Sequence, residues 1–265
     1  MRPAERAERG IAVNLIETII VAFSMFSALP MPLVDWNERN MRYSLCAFPL
    51  VGVLTGLCCW GWSRICVSVP LPSLLCGAGL CLIPVWITGG IHLDGYTDTC
   101  DALASHAGVE KRQEILKDPH LGTFAVIRLC CWFLADFALW TALPELRAAT
   151  AIGIFGLSRS LSGLALTSFP LREGSGLARS FAEAADRERV RRVLIGICLG
   201  FAALLCASGG WLCAVTAALV FLYYRSLCEK AFGGLSGDLA GWFLQTAELW
   251  MLGALVLWQV LKGLL

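Results

Sequence analysis

What this 265-residue chain has little of is charge: Asp, Glu, Lys and Arg together make up 15% of it, against about 25% in an ordinary soluble domain. So few charges cannot cover a water-facing surface, which excludes a soluble globular domain, a coiled coil and a disordered chain. Net charge is missing too. Lys and Arg number 21 against 20 Asp and Glu, so no basic field marks a nucleic-acid partner. The 13 cysteines contain no C-x-x-C pair. Most stand in apolar runs (Cys58, Cys59, Cys130, Cys131, Cys198, Cys206), where the thiol behaves as a small hydrophobe, and neither a disulfide nor a zinc framework is expected.

What is there is apolar. The hydrophobic class reaches 57% and the mean hydropathy is +0.69. The expectation is an all-α, polytopic integral membrane protein, with residues 1–265 forming a single membrane-embedded domain. Segments of spanning length cover 11–29, 44–63, 74–92, 121–143, 148–169, 193–208, 210–226 and 245–264. Two features qualify them. The pair 193–208 and 210–226, separated by Ser208-Gly209-Gly210, reads as a tight helical hairpin. The first segment carries Asn14 and Glu17 and ends in Pro30-Met31-Pro32. Its charged start resembles a signal peptide, yet no clear small-x-small cleavage site follows, so it is expected to stay in the mature protein.

The positive-inside rule decides how that first segment is placed. If it does not cross and the other seven do, 16 Lys and Arg fall on one side, against Arg64, Arg147 and Lys262 on the other. If it does cross, Arg2, Arg6 and Arg9 are split from the majority. About seven transmembrane helices plus a re-entrant or interfacial N-terminal segment are therefore expected. The polar loops 93–120, 170–192 and 227–244 would share the cytoplasmic face.

The strongest chemical signal is Gly89-Gly90-Ile91-His92-Leu93-Asp94-Gly95-Tyr96-Thr97-Asp98-Thr99-Cys100-Asp101. Asp94, Asp98 and Asp101 stand at i, i+4 and i+7, one face of a helix. Three anions so close repel unless a cation lies among them, and hard oxygen ligands suit Mg²⁺. An acidic helix start, favoured by the macrodipole, accounts for Asp94 and at most Asp98, but not for three on one face at a membrane boundary. In Lys117-Asp118-Pro119-His120-Leu121-Gly122-Thr123, Pro119 breaks the chain before a new helix start. Lys117 and His120 beside that start make an anion site, although an ordinary helix-entry turn gives the same pattern.

Arg159, flanked by Ser158 and Ser160 inside a span, marks a functional cavity by default, since an intramembrane charge is expensive. Arg172-Glu173-Gly174-Ser175-Gly176-Leu177-Ala178-Arg179 is a Gly-rich basic loop apt for phosphate or anionic lipid. Asp238 follows Gly233, Gly234 and Gly237 and is a candidate fourth metal ligand or general base. Together these residues describe metal-assisted phosphoryl transfer. A cation-coupled transporter would also use intramembrane acids, but in mid-span rather than at span ends among glycines.

Taken together, these motifs resemble the cobalamin synthase family, the adenosylcobinamide-GDP ribazoletransferases. The likeness covers nearly the whole chain: Phe26 to Pro32, Phe48-Pro49-Leu50-Val51-Gly52, His92 to Asp101, Lys117 to Phe124, Ser158-Arg159, Gly174 to Phe181 and Gly233 to Asp238. Two departures stand out. Phe26-Ser27-Ala28-Leu29-Pro30 lacks the family's Arg, and Tyr96 replaces a usual Leu.

The resemblance implies that a ribose hydroxyl of α-ribazole, or of its 5′-phosphate, attacks the cobinamide-linked phosphate of adenosylcobinamide-GDP. GMP leaves, with Mg²⁺ as cofactor, in the bacterial inner membrane. On that reading Asp94, Asp98 and Asp101 hold the metal, while Asp238, Lys117, Asp118 and Arg159 carry the catalysis. His92, His120, Gly174, Gly176 and Arg179 contact substrate. The lipid bilayer is the surrounding partner, and a homo-oligomer or association with other corrinoid-pathway enzymes stays open. A CDP-alcohol phosphatidyltransferase also sets Asp-Gly on membrane helices, but its Asp-Gly-x-x-Ala-Arg is absent. A membrane scaffold leaves the aspartates unexplained.

Overall fold

The computed structural model describes residues 3–172 and 176–264. Helices follow in chain order: α1 (Pro3–Phe26), α2 (Glu38–Met41), α3 (Ser44–Ser68), α4 (Ser73–Thr88), α5 (Ile91–Ala104), α6 (Val109–Ile115), α7 (Thr123–Ala142), α8 (Ala148–Ser168), α9 (Gly176–Ala184), α10 (Arg187–Ala207), α11 (Trp211–Phe232) and α12 (Gly237–Leu264). Among the described residues no strand forms, and one parallel bridge joins Leu171 to Leu235. In a bilayer only a closed hydrogen-bond pattern is affordable, and a helix provides it within one segment.

Six helices (α3, α7, α8, α10, α11 and α12) are long and apolar enough to cross. The α4–α5 pair, bent by 96°, gives a seventh if counted as one broken crossing. The apolar part of α1, Leu15–Phe26, is about 18 Å long at 1.5 Å per residue, short of a hydrocarbon core of about 30 Å.

Helix α8 sits at the centre, with the largest buried share of the six. It is reached closely by α3 because Gly52 and Gly56, a small-xxx-small pair, face its backbone. A Cβ on Gly56 would lie 2.7 Å from Ala151 C and O, and one on Gly52 would overlap Phe155 O. Contacts of this kind replace the hydrophobic effect, which is absent between helices in lipid. The outer helices turn large apolar residues outward, among them Leu134, Leu199, Leu219 and Leu222, all more than 60% exposed.

Helix limits differ from the expected spans where charge misled the reading. The segment 227–244 is not a loop: α11 continues to Phe232 and α12 begins at Gly237, leaving 233–236 between them. Arg225 Nε reaches Glu229 Oε1 at 2.9 Å, an i,i+4 pair that lets α11 run past its apolar stretch. Likewise α10 starts at Arg187 rather than 193, capped by Asp186, whose Oδ1 accepts from the Arg189 N–H at 3.3 Å. The expected hairpin of α10 and α11 is present, its turn using Gly209 at φ 83°.

Candidate active site

The site begins at the break between α4 and α5. Gly89 caps α4 and Gly90 precedes α5, at φ 64° and 79°, a left-handed pair that L residues rarely adopt. The chain swings round there and sends α5 along α12. That packing is backbone to backbone: a Cβ on Gly95 would stand 2.7 Å from Asp238 O, and one on Gly241 would stand 2.7 Å from His92 O. The glycines thus bring Asp94 of α5 and Asp238 of α12 to one place.

A cavity of about 410 Å³ opens there. Phe26 comes to it from the end of α1, Phe48 from α3, Leu166 from α8 and Phe181 from α9. Asp94, Lys117, Arg172 and Asp238 supply its charge, and His92, Gly176 and Ser236 also line it. Separate pieces of chain named in the sequence reading therefore meet at one end of the helix bundle. A second cavity, of about 530 Å³, is lined by Gly89, Gly90, Asp98, Pro119 and His120. Asp94 lines both.

Asp94, Asp98 and Asp101 share one face of α5. Asp98 lies close enough to Asp94, Asp238 and Asp101 to feel all three charges. The Asp101 carboxylate packs on Gly122, where any Cβ would overlap it, at the start of α7. Among the described residues no group of three or more His, Cys, Asp or Glu side chains is placed so that it could hold a metal ion. The donor set still suits Mg²⁺, which keeps several waters and is usually held by one or two carboxylates plus substrate phosphate oxygens.

Other expected site residues divide. His92 is buried at 5% exposure, and its Nε2 has no hydrogen-bond partner among the described residues. Asp118 and His120 are exposed and bind each other: Asp118 Oδ1 accepts the His120 N–H at 3.0 Å and faces Nδ1 at 2.7 Å. Those hydrogen bonds hold the Asp118 carboxyl below the usual carboxylate range, so it is a turn lock more than a proton acceptor. Arg179 Nε donates to Glu183 Oε1 at 2.6 Å from an exposed position on α9. Gly174 lies outside the described residues.

Arg159 requires a correction. It is wholly buried in α8 and lines neither cavity. Its Nη1 pairs with Glu248 of α12 and donates to Ser158 Oγ at 3.0 Å, and Ser158 Oγ donates to Glu248 Oε1 at 2.6 Å. In a medium of low dielectric a buried cation takes the nearest anion. That anion is a carboxylate of the protein itself, so the structure places Arg159 in a buried ion pair away from both cavities, with its Nε and Nη2 without a partner among the described residues. Arg172, which the sequence showed only as part of a basic loop, is the arginine that reaches the cavity. The aromatic wall of Phe26, Phe48 and Phe181 was missed as well, because the three come from distant segments.

The family model described as Cobalamin-5-phosphate synthase matches residues 18–256. The chain belongs to this family. Members similar to it include the adenosylcobinamide-GDP ribazoletransferase of Lachnoclostridium phytofermentans, 40% identical over 241 residues, which is 88% of this chain and 91% of the relative. The protein of the same name from Pseudomonas putida is 36% identical over 237 residues, 86% of this chain and 94% of the relative. That from Clostridium botulinum is 30% identical over 246 residues, 89% and 95% respectively. No solved structure matches. Membership in the cobalamin-5-phosphate synthase family disfavours the phosphatidyltransferase and transporter readings, and every site residue named above lies inside the matched range.

Proposed function

We propose that this chain is an adenosylcobinamide-GDP ribazoletransferase, joining a ribose hydroxyl of α-ribazole or its 5′-phosphate to the cobinamide-linked phosphate and releasing GMP. The observation that carries the reading is Asp94 on the wall shared by two cavities, with Asp238 beside it. A transfer between two substrates needs two binding spaces meeting at one reacting centre. In the step, the hydroxyl oxygen bonds to phosphorus, the bridging P–O bond breaks and GMP carries away the electron pair. Asp238, lining the first cavity, accepts the hydroxyl proton. Lys117 neutralises developing phosphate charge as a compact cation.

Asp94 and Asp98 are the residues to hold Mg²⁺, with Asp101 supporting from the next turn. Held there, the cation would supply Lewis-acid polarisation of phosphoryl oxygens and would offset their negative charge. The segment joining α4 to α5 presents Gly89 and Gly90 to the second cavity, where the absence of their side chains leaves the backbone open to a diphosphate. His120 lines the same space. The excess of Lys and Arg on the site end supports an inner-membrane protein with this end in the cytoplasm.

The test uses the full chain in lipid nanodiscs with adenosylcobinamide-GDP, α-ribazole 5′-phosphate and Mg²⁺, following GMP by chromatography. Asp98→Asn is expected to lower turnover by about 100-fold or more, and EDTA to abolish it until Mg²⁺ is restored. Near-normal product from Asp98→Asn removes Asp98 from the metal site. Full activity in EDTA removes the metal.

A further inference from the structure

The cavity of about 410 Å³ contains a cation with open hydrogen-bond donors among the described residues. Arg172 is 6% exposed, and its Nε and Nη1 have no hydrogen-bond partner among the described residues. Asp238, on the same cavity, feels its charge, and no ion pair joins the two among the described residues. A buried guanidinium with open donors is costly, and the cost is removed when a ligand oxygen arrives. The backbone holds the side chain in place for this. Arg172 N–H donates to Leu235 O at 2.9 Å and Leu235 N–H donates to Pro170 O at 2.8 Å. Gly234, at φ 150°, packs against this clip so closely that a Cβ would lie 2.7 Å from Arg172 N.

Resting on the transferase reading, we propose that Arg172 is the specificity-determining residue for the acceptor, binding its 5′-phosphate. About 410 Å³ is suited to a nucleoside monophosphate and is far too small for a corrinoid. The walls agree. Phe26, Phe48 and Phe181 give one side of it an apolar aromatic lining, with Phe26 stacked on Phe48 at 3.9 Å between ring centroids, while Arg172 and Lys117 offer charge to a phosphate. A planar guanidinium matches two phosphate oxygens at once. The donor diphosphate belongs instead beside Asp94 and Asp98 in the second cavity, which Arg172 does not line. The acceptor hydroxyl then meets phosphorus near Asp94.

The experiment measures kcat/KM for α-ribazole 5′-phosphate and for α-ribazole, with saturating donor, in wild type, Arg172→Gln and Arg172→Lys. The ratio of the two values is the readout, because a purely structural defect lowers both together. Arg172→Gln is expected to shrink the preference for the phosphorylated acceptor by roughly 10- to 100-fold, mainly through KM. Arg172→Lys, which keeps charge without the fork, is expected to restore part of it. An unchanged ratio in both variants overturns the assignment, including the case where both acceptors slow equally because Arg172 serves the donor. Equilibrium binding of α-ribazole 5′-phosphate without donor separates this from the function itself. Binding weakened by Arg172→Gln in a protein that turns nothing over keeps the subsite and rejects the transferase reading. Equal binding by wild type and both variants rejects the subsite.

Discussion

Two buried arginines on neighbouring segments live in opposite circumstances. Arg159, deep in α8, is answered by Glu248 and Ser158, whereas Arg172, at the cavity, has no ion-pair partner among the described residues. The first has its charge paired within the protein, though its Nε and Nη2 lack partners among the described residues. The second leaves a charge open and waits for substrate. The same contrast separates the acids: Glu248 has an ion-pair partner inside the protein, while Asp94, Asp98, Asp101 and Asp238 have none among the described residues. A membrane protein can tolerate an unmatched charge only where a ligand or water reaches it.

The largest effect should come from breaking the closed pair. Glu248→Leu strands the Arg159 guanidinium and is expected to cost about 3–5 kcal/mol, read as a lower melting temperature in detergent. Adding Arg159→Met should recover most of that loss, and a stable Glu248→Leu single variant would show that the pair does not hold α8 to α12. The open cluster should respond the other way. Asp94→Asn is expected to lower GMP release by about 100- to 10,000-fold while metal-free melting stays level or rises, since one of several repelling carboxylates is gone. A melting temperature that drops with the activity would place Asp94 among structural groups instead.

Smaller effects mark the scaffold. Gly95→Ala pushes a methyl against the Asp238 backbone and should cost about 1–3 kcal/mol, with activity falling as α5 and α12 separate. An unaltered variant would mean that this crossing does not set the Asp94–Asp238 placement. Least of all, Arg42→Ala removes the exposed 3.1 Å pair with Asp186 and should change stability by under about 1 kcal/mol. A greater loss would show that surface charge contributes more here than the buried contrast implies.

The trio Asp94, Asp98 and Asp101 was legible because helical spacing is a local property, and the all-helical membrane class was legible because composition is a sum over residues. The ends of α10, α11 and α12 were not. Hydropathy drops at the first charges, yet caps and i,i+4 pairs carry those helices further. Arg159 was read as a substrate clamp because its partner lies 89 positions away on α12. Nothing local announces such a pair. Arg172 was visible as a basic loop residue, but its lack of a partner is a statement about every element around it.

Sequence alone determined the solvent this chain lives in and the acidic stripe that an oxygen-seeking cation would meet, since both follow from residue type and near-neighbour spacing. Only the tertiary structure decided which charges are spent on one another and which remain for a ligand. Pairing depends on distances between helices far apart in the chain, and those distances are set by glycine contacts such as Gly52 against α8 and Gly95 against α12.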